Sequence, residues 1–113
     1  MHELSLCESI VETLEQQALA QHYRLVKTVW LEIGALSGVE AEALRFCFDA
    51  VTRGTLAEQA KLVILEVPGQ AWCTQCSIHV PMQQRFDACP RCGGFQLRVN
   101  DGEQLRIKEL EVE

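Results

Sequence analysis

Cys73-Thr-Gln-Cys76 and Cys89-Pro-Arg-Cys92 are two C-x-x-C pairs separated by twelve residues. Each pair places two thiols on one tight turn, so both sulfur atoms can reach a single ion, and two such turns complete a tetrahedron. Pro90 fixes φ within the second turn, and Gly93-Gly94 permit the left-handed conformation that brings backbone N–H groups near the sulfur atoms. The spacing therefore predicts a metal site with four cysteine ligands.

The identity of the metal is left open by this spacing, because a tetrahedron of four thiolates accepts both zinc and iron. Closed four-cysteine zinc sites are usually structural. The alternative is a rubredoxin-like iron protein for electron transfer, which the additional α/β region of some 70 residues disfavours. A redox-active C-x-x-C is the least favoured reading, since two pairs that share a metal are protected from thiol exchange.

Composition argues against the commonest role of a small zinc ribbon, which is nucleic-acid binding. The 113 residues are 48% hydrophobic and 23% charged, as in ordinary globular proteins, with a formal charge of −6 and a pI of about 5.0. Arg85, Arg91 and Arg98 are scattered rather than clustered. We therefore expect no nucleic-acid partner, although a nucleic-acid-binding zinc ribbon remains an alternative function.

The compartment is predicted from what the chain lacks and from its thiols. No apolar run approaches the roughly 18–20 residues that span a bilayer, and the N-terminus does not resemble a signal peptide. Paired cysteines in a reducing compartment favour a metal over disulfides. The sequence predicts a cytoplasmic protein without a membrane partner.

The first half of the chain alternates helix and strand. Ser5 and Glu8 have the spacing of a capping box, which predicts a helix from Ser5 to about His22. Alternating apolar residues predict a strand over 26–33. A second S-x-x-E pattern over 37–40 predicts another capped helix that ends near Arg53.

The second half adds the metal module between two further strands, at 61–67 and 104–112. Together the elements predict an α+β fold, with two helices on a three-stranded sheet. Residues 1–69 and 99–113 would form this α/β domain, and 70–98 would form an inserted zinc-ribbon-like domain between two neighbouring antiparallel strands. The module has few large apolar side chains, so metal binding must supply much of its stability.

Other cysteines and histidines have ordinary interpretations, with one exception. Cys7 and Cys47 lie on apolar helix stripes and are predicted to be core residues. His22 is expected at a helix C-terminus, where a cation is favourable. His79 follows Cys76 by three residues and is expected to flank the metal rather than bind it, since four cysteines already suffice.

The exception is His2. The α-amine of Met1, the backbone amide nitrogen of His2 and its imidazole can form fused chelate rings around one ion. Ni²⁺ and Cu²⁺ accept such square-planar nitrogen ligands. A fourth position would fall to Glu3, to water or to a ligand from elsewhere; the alternative is a frayed terminus.

Three features together resemble the HypA/HybF family of nickel metallochaperones, which mature [NiFe]-hydrogenases. They are the opening Met1-His-Glu-Leu-Ser5, the loop Gly34-Ala-Leu-Ser-Gly-Val-Glu40 and the double C-x-x-C pattern. The resemblance covers the whole chain. It implies a non-enzymatic metallochaperone that is a monomer or weak homodimer and works with an accessory GTPase. Its cargo, Ni²⁺, would go to the hydrogenase large-subunit precursor, and in some organisms the family also serves urease.

The resemblance also implies ligands. His2 would be the required nickel ligand, supported by the amine of Met1 and the backbone nitrogens of His2 and Glu3, with Glu40 as a further candidate. Cys73, Cys76, Cys89 and Cys92 match the zinc ligands. Some members have a histidine directly after the second cysteine pair, whereas this chain has Gly93. A cysteine-to-histidine ligand exchange at that position is therefore excluded here, and we expect four cysteines throughout.

Overall fold

The computed structural model describes residues 2–113, except for the side chain of His2. Residues 2–113 form two helices and six strands. In order they are α1 (His2–Gln21), β1 (Val26–Gly34), α2 (Ala41–Val51), β2 (Lys61–Val67), β3 (Gly69–Cys73), β4 (Ile78–Met82), β5 (Leu97–Asp101) and β6 (Leu105–Val112). The predicted α+β class is confirmed.

Helix α1 begins earlier than the capping box predicted. It starts at His2, so Ser5 lies inside the first turns and is not the N-cap. The helix ends near the predicted position, and His22 directly after it has a φ of 63°. A left-handed residue at this position is the usual way for a helix to stop, although glycine is the commoner choice. The prediction of a helix start at Ser5 is therefore wrong, because the residues before it also favour a helix.

Helix α2 is capped by Glu40 rather than by Ser37. The carboxylate of Glu40 accepts hydrogen bonds from the backbone N–H groups of Glu42, at 3.2 Å, and Ala43, at 3.1 Å. The prediction that Ser37 caps α2 is therefore wrong, because Glu40, the last residue of the same S-x-x-E pattern, is the N-cap. An anion at this position also faces the positive end of the helix dipole.

The first sheet has the strand order β2-β1-β6. Strands β1 and β2 run in the same direction, because Val26 N–H donates to Leu56 O and Ala35 N–H to Val67 O. Strand β6 runs the opposite way, since Glu113 N–H donates to Leu25 O whereas Gly34 N–H donates to Gln104 O. The sequence predicted that β2 and β6 are neighbours, and this prediction is wrong, because β1 lies between them. The helical crossover through α2 makes β1 and β2 a parallel pair and leaves β1 in the centre.

The second sheet spans the metal segment, extends beyond it to Asp101 in β5, and has the order β4-β3-β5. Strand β3 pairs with both neighbours in antiparallel register. The cysteines predicted the metal segment, but no strands were predicted in it.

The chain forms two compact units, each with its own core. One contains the chain up to Leu31, with Val39–Ile64 and Ile107–Glu113, and the other contains Glu32–Gly38 and Leu65–Arg106. The helical unit buries apolar residues of both helices and of β1, among them Cys7, Leu14, Val29, Leu31, Leu44 and Phe48. The core of the metal unit consists of Leu36, Ala71, Cys73, Val80, Met82 and Cys89.

Candidate metal centre

The first pair of cysteines lies where β3 ends. The backbone N–H of Cys76 donates to Sγ of Cys73 at 3.4 Å, and Ser77 N–H donates to the carbonyl of Cys73 at 2.8 Å. Ser77 adopts a left-handed conformation with a φ of 55°, which few non-glycine residues do. The chain therefore turns sharply enough to present both sulfur atoms to one point.

The second pair repeats this geometry on a separate turn. Arg91 N–H donates to Sγ of Cys89 at 3.4 Å, and Gly93 N–H donates to the carbonyl of Cys89 at 2.8 Å. Gly93 has a φ of 74°, which confirms the left-handed turn predicted from the glycine pair. Ser77 and Gly93 thus occupy the same place in the two turns, directly after the second cysteine.

The four sulfur atoms converge as a metal would require. All of them lie within 4.8 Å of one another. Sγ of Cys73 and Sγ of Cys92 are 3.7 Å apart. Tetrahedral zinc with bonds of about 2.3 Å separates its sulfur ligands by about 3.8 Å, so the four cysteines fit a structural zinc ion. Cys73 and Cys89 are buried, whereas Cys92 is exposed, so the site lies at the edge of its core.

Electrostatics at the centre favour a bound cation. Backbone hydrogen bonds from Cys92 and Arg91 lower the pKa of Cys89 to about 7, against desolvation. Hydrogen bonding to Cys92, followed by burial, raises the pKa of Cys76 to about 12. Four thiols this close cannot all ionise near neutral pH without a neutralising charge, which a divalent metal supplies when it replaces the protons.

His79 does not belong to this cluster, which within residues 3–113 comprises the four cysteines. In the register of β3 and β4, Cys73 pairs with Ile78 and Trp72 pairs with His79. Successive side chains of a strand point to opposite sides, so His79 lies on the face away from Cys73. Cys7 is buried and Cys47 half-buried in the helical unit, as expected for Cys7 from its apolar stripe.

The metal core also contains a residue that the sequence analysis did not connect with it. Leu36, in the loop after β1, is 2% exposed and packs among Cys73, Cys89 and their neighbours. Arg85 holds this loop, because its Nε donates to the carbonyl of Leu36 at 2.8 Å and its guanidinium pairs with Glu103 at 2.6 Å. No local pattern around Leu36 indicates this contact, because 30 or more residues separate it from the cysteines.

The predicted nickel ligands Met1 and the His2 side chain lie outside the described residues. Glu3 and Glu40, the other two predicted participants, lie next to each other. Oε2 of Glu3 accepts a hydrogen bond from the backbone N–H of Glu40 at 3.2 Å. The first turn of α1 therefore lies beside the first turn of α2, with two carboxylates at the junction.

No helix in residues 2–113 combines the length and the apolar composition needed to cross a membrane.

Comparison with known proteins identifies the family. The profile described as "Hydrogenase/urease nickel incorporation, metallochaperone, hypA" matches residues 1–112. Similar proteins named hydrogenase maturation factor HypA include those of Azotobacter chroococcum mcd 1, at 60% identity, and Azotobacter vinelandii, at 57%. Both alignments span 113 residues and 100% of each chain.

Solved structures agree in fold. The solution structure of the Ni metallochaperone HypA from Helicobacter pylori has a TM-score of 0.70 at 21% identity, covering 99% of this chain and 97% of that one. Another, a solution structure of HypA protein, has a TM-score of 0.72 at 22% identity, covering 100% and 97%. The profile match over residues 1–112 and the full-length relatives at 57% and 60% identity show that the chain belongs to the HypA family of nickel metallochaperones for hydrogenase maturation, a family of metal carriers rather than enzymes.

Proposed function

We propose that this protein binds Ni²⁺ at its N-terminus and delivers it to the [NiFe]-hydrogenase large-subunit precursor in the cytoplasm, together with an accessory GTPase. The observation that carries the proposal is the match of residues 1–112 to a nickel-incorporation family in a chain that has histidine at position 2. The proposed ligands are the α-amine of Met1, the backbone nitrogen and imidazole of His2, and the backbone nitrogen of Glu3.

The start of α1 supports this assignment. The helix begins at His2, and the first four N–H groups of any helix have no acceptor within that helix. A metal ion that replaces the proton on the His2 amide nitrogen, which passes to solvent, therefore breaks no hydrogen bond of the helix. Four nitrogen ligands in one plane would leave the positions above and below the ion open, which allows ligands of a receiving protein to attack.

Glu40 is a further candidate ligand near the same end of α1. Its carboxylate caps α2 through the N–H groups of Glu42 and Ala43, and its own N–H contacts the Glu3 carboxylate. Coordination by Glu40 would therefore compete with the helix cap. We propose that nickel binding relies on His2 first and on Glu40 second.

The zinc site has a supporting role in this proposal. We propose a zinc-binding role for residues 70–98 and a nickel-binding role for residues 1–69 with 99–113, a functional division whose bounds differ from those of the two compact units. A closed set of four cysteine ligands exchanges its metal poorly, so the zinc would hold the fold and the open N-terminal site would carry the transferable ion.

Calorimetric titration with Ni²⁺ tests the assignment, using protein with a native N-terminus and zinc already bound. The expected result is one nickel per chain, with binding lost on His2→Ala substitution and on extension of the N-terminus by one glycine. His22→Ala is the matched control, since His22 lies at the other end of the same helix. Native affinity in both the His2→Ala and the extended protein would exclude the N-terminal site.

A further inference from the structure

One side of the second sheet carries exposed side chains around a half-buried tryptophan, Trp72. Ala71 and Cys73 of β3 are buried towards the metal centre, so Trp72 between them lies on the opposite side. We call this side the Trp72 face. It is formed by Gln70, Trp72, His79, Pro81, Arg98 and Asn100.

Three side chains of the Trp72 face contact one another: those of Trp72, His79 and Asn100. Trp72 pairs in register with His79 on one neighbouring strand and with Arg98 on the other. The rings of Trp72 and His79 meet edge to face, with centroids 5.0 Å apart and planes at 73°. Nδ1 of His79 lies 3.0 Å from Nδ2 of Asn100, so these two side chains meet across the central strand. An aromatic surface that is already ordered loses little entropy on binding.

The polar groups of this face include one guanidinium, that of Arg98, next to Trp72 in register. Arg98 is exposed, and within residues 3–113 its side chain makes neither an ion pair nor a hydrogen bond. One carboxylate lies at the end of the face: Asp101, opposite Gln70. Its Oδ1 already accepts hydrogen bonds from Gly102 N–H and Gln104 Nε2.

We propose that the Trp72 face docks a short acidic peptide segment of a partner protein. A carboxylate of that segment pairs with the Arg98 guanidinium, which suits carboxylates geometrically, and an adjacent apolar side chain packs on Trp72. Tryptophan and arginine are also the residues that most often carry the binding energy of protein interfaces. This docking surface lies on the metal unit and does not depend on nickel binding at the N-terminus.

Charge favours a peptide over a nucleic acid as the occupant. Tight binding to a phosphate backbone needs several cations along one surface, whereas this face offers one arginine beside a histidine. The chain as a whole carries −6, which repels a polyanion. A segment with one or two carboxylates satisfies Arg98 without meeting that repulsion.

Tryptophan fluorescence can test this proposal directly. The chain has two tryptophans, so a Trp30→Phe variant leaves Trp72 as the sole reporter. The zinc-loaded variant is titrated with a synthetic tetrapeptide of alternating glutamate and leucine, blocked at both ends so that it carries two carboxylates, and with the matching glutamine–leucine peptide. We expect saturable binding of the acidic peptide and at least about tenfold weaker binding of the neutral one.

Matched charge reversals localise the interaction. Arg98→Glu should weaken binding of the acidic peptide about tenfold or more, because it places like charges together. Arg24→Glu changes the net charge equally but lies in the other unit, so binding should stay within about twofold. Zinc content and the far-UV circular dichroism of each variant establish that it is folded. If Arg98→Glu does not fold, His79→Ala replaces it, and this variant should also weaken binding of the acidic peptide.

Three results would overturn the proposal. They are equal binding of the acidic and neutral peptides, equal loss in the Arg24 and Arg98 variants, and displacement of the peptide by a thymidine oligonucleotide that binds more tightly. The last result would make the Trp72 face a nucleic-acid surface. Failure of nickel binding in the His2→Ala protein would leave the peptide result unaffected.

Discussion

Cys7 and Cys89 both have little solvent exposure, at 0% and 2%, but their pKa values shift in opposite directions. Burial raises the pKa of Cys7 to about 11, and Cys47, Glu3 and Glu8 add to the effect. Backbone hydrogen bonds from Cys92 and Arg91 lower the pKa of Cys89 to about 7. Burial alone therefore does not determine which form of a thiol the fold prefers.

The direction of the hydrogen bond explains the difference. Sγ of Cys7 lies 3.5 Å from the carbonyl of Leu44, to which only a protonated thiol can donate. Sγ of Cys89 receives an N–H from its own turn, which stabilises the thiolate. The helical unit thus contains a cysteine as a small apolar residue, whereas the metal unit contains two of the four candidate metal ligands, Cys73 and Cys89, within its core.

The largest effect is expected from Cys89→Ser. Loss of one thiolate should release zinc and unfold the metal unit, because structural zinc supplies on the order of 10 kcal/mol to small metal-dependent folds. Zinc content by mass spectrometry and amide hydrogen exchange by residue measure both effects. We expect exchange protection to disappear from β3, β4 and β5 while α1 and α2 stay protected.

Cys47→Ser is the matched control for that experiment, since Cys47 is half-buried and lies outside the four-thiol cluster. It should leave the zinc content unchanged. Retained protection of β3 in Cys89→Ser, without zinc, would show that the apolar residues of the metal unit suffice.

Much of the metal centre was predictable because C-x-x-C spacing determines which sulfur atoms can meet. The β1-α2-β2 order also contained a signal for a parallel pair, since a helical crossover is what joins parallel strands. The prediction that β2 and β6 are neighbours ignored this crossover and was therefore wrong. The second sheet was harder to find, because its strands have five residues each and mix polar with apolar side chains.

Helix starts were the least predictable feature. The S-x-x-E pattern is short enough to occur by chance, and at α2 its glutamate rather than its serine made the cap. Leu36 illustrates a different limit, because its place beside the cysteines arises from tertiary packing that no sequence period encodes.

The next largest effect concerns that residue. Leu36→Ala removes a side chain from the metal core, and deletion of a buried leucine costs about 3–5 kcal/mol. Denaturant unfolding of the zinc-loaded protein should show this loss for the metal unit. Leu19→Ala, at a position that is 82% exposed, is the control and should change stability by less than about 0.5 kcal/mol. An unchanged stability in Leu36→Ala would mean that zinc alone stabilises this core.

Alkaline pH should lower the stability of the folded protein through Cys7, the buried thiol whose pKa is raised. The pKa of Cys7 is raised from its ordinary 9.0 to about 11, so the folded protein keeps this proton through a range in which the unfolded chain releases it. The folded state binds more protons there, so its stability is complete below pH 9 and falls between pH 9 and 11. At about 1.4 kcal/mol per pH unit, the free energy of unfolding should fall by about 3 kcal/mol across this range.

Urea unfolding of the native protein and of Cys7→Ala across this range isolates the effect. The variant begins less stable because it lacks a buried side chain, but its free energy of unfolding should fall less steeply with pH. Parallel slopes for the two proteins would contradict the assignment of the alkaline loss to Cys7.

The smallest expected effect tests whether backbone N–H groups stabilise an anion in the helical unit as they do at Cys89. The Glu40 carboxylate accepts from the N–H groups of Glu42 and Ala43, which have no acceptor within α2. Glu40→Ala should therefore destabilise the helical unit by about 1 kcal/mol, the usual loss for a helix cap. Glu40→Asp, which keeps a carboxylate and is a favoured cap, should recover most of it. Because the lost bonds belong to α2, hydrogen exchange should speed up in that helix and stay unchanged at Cys89. Equal stability of Glu40→Ala and the native protein would show that water replaces the carboxylate at no cost, unlike at the buried thiolate.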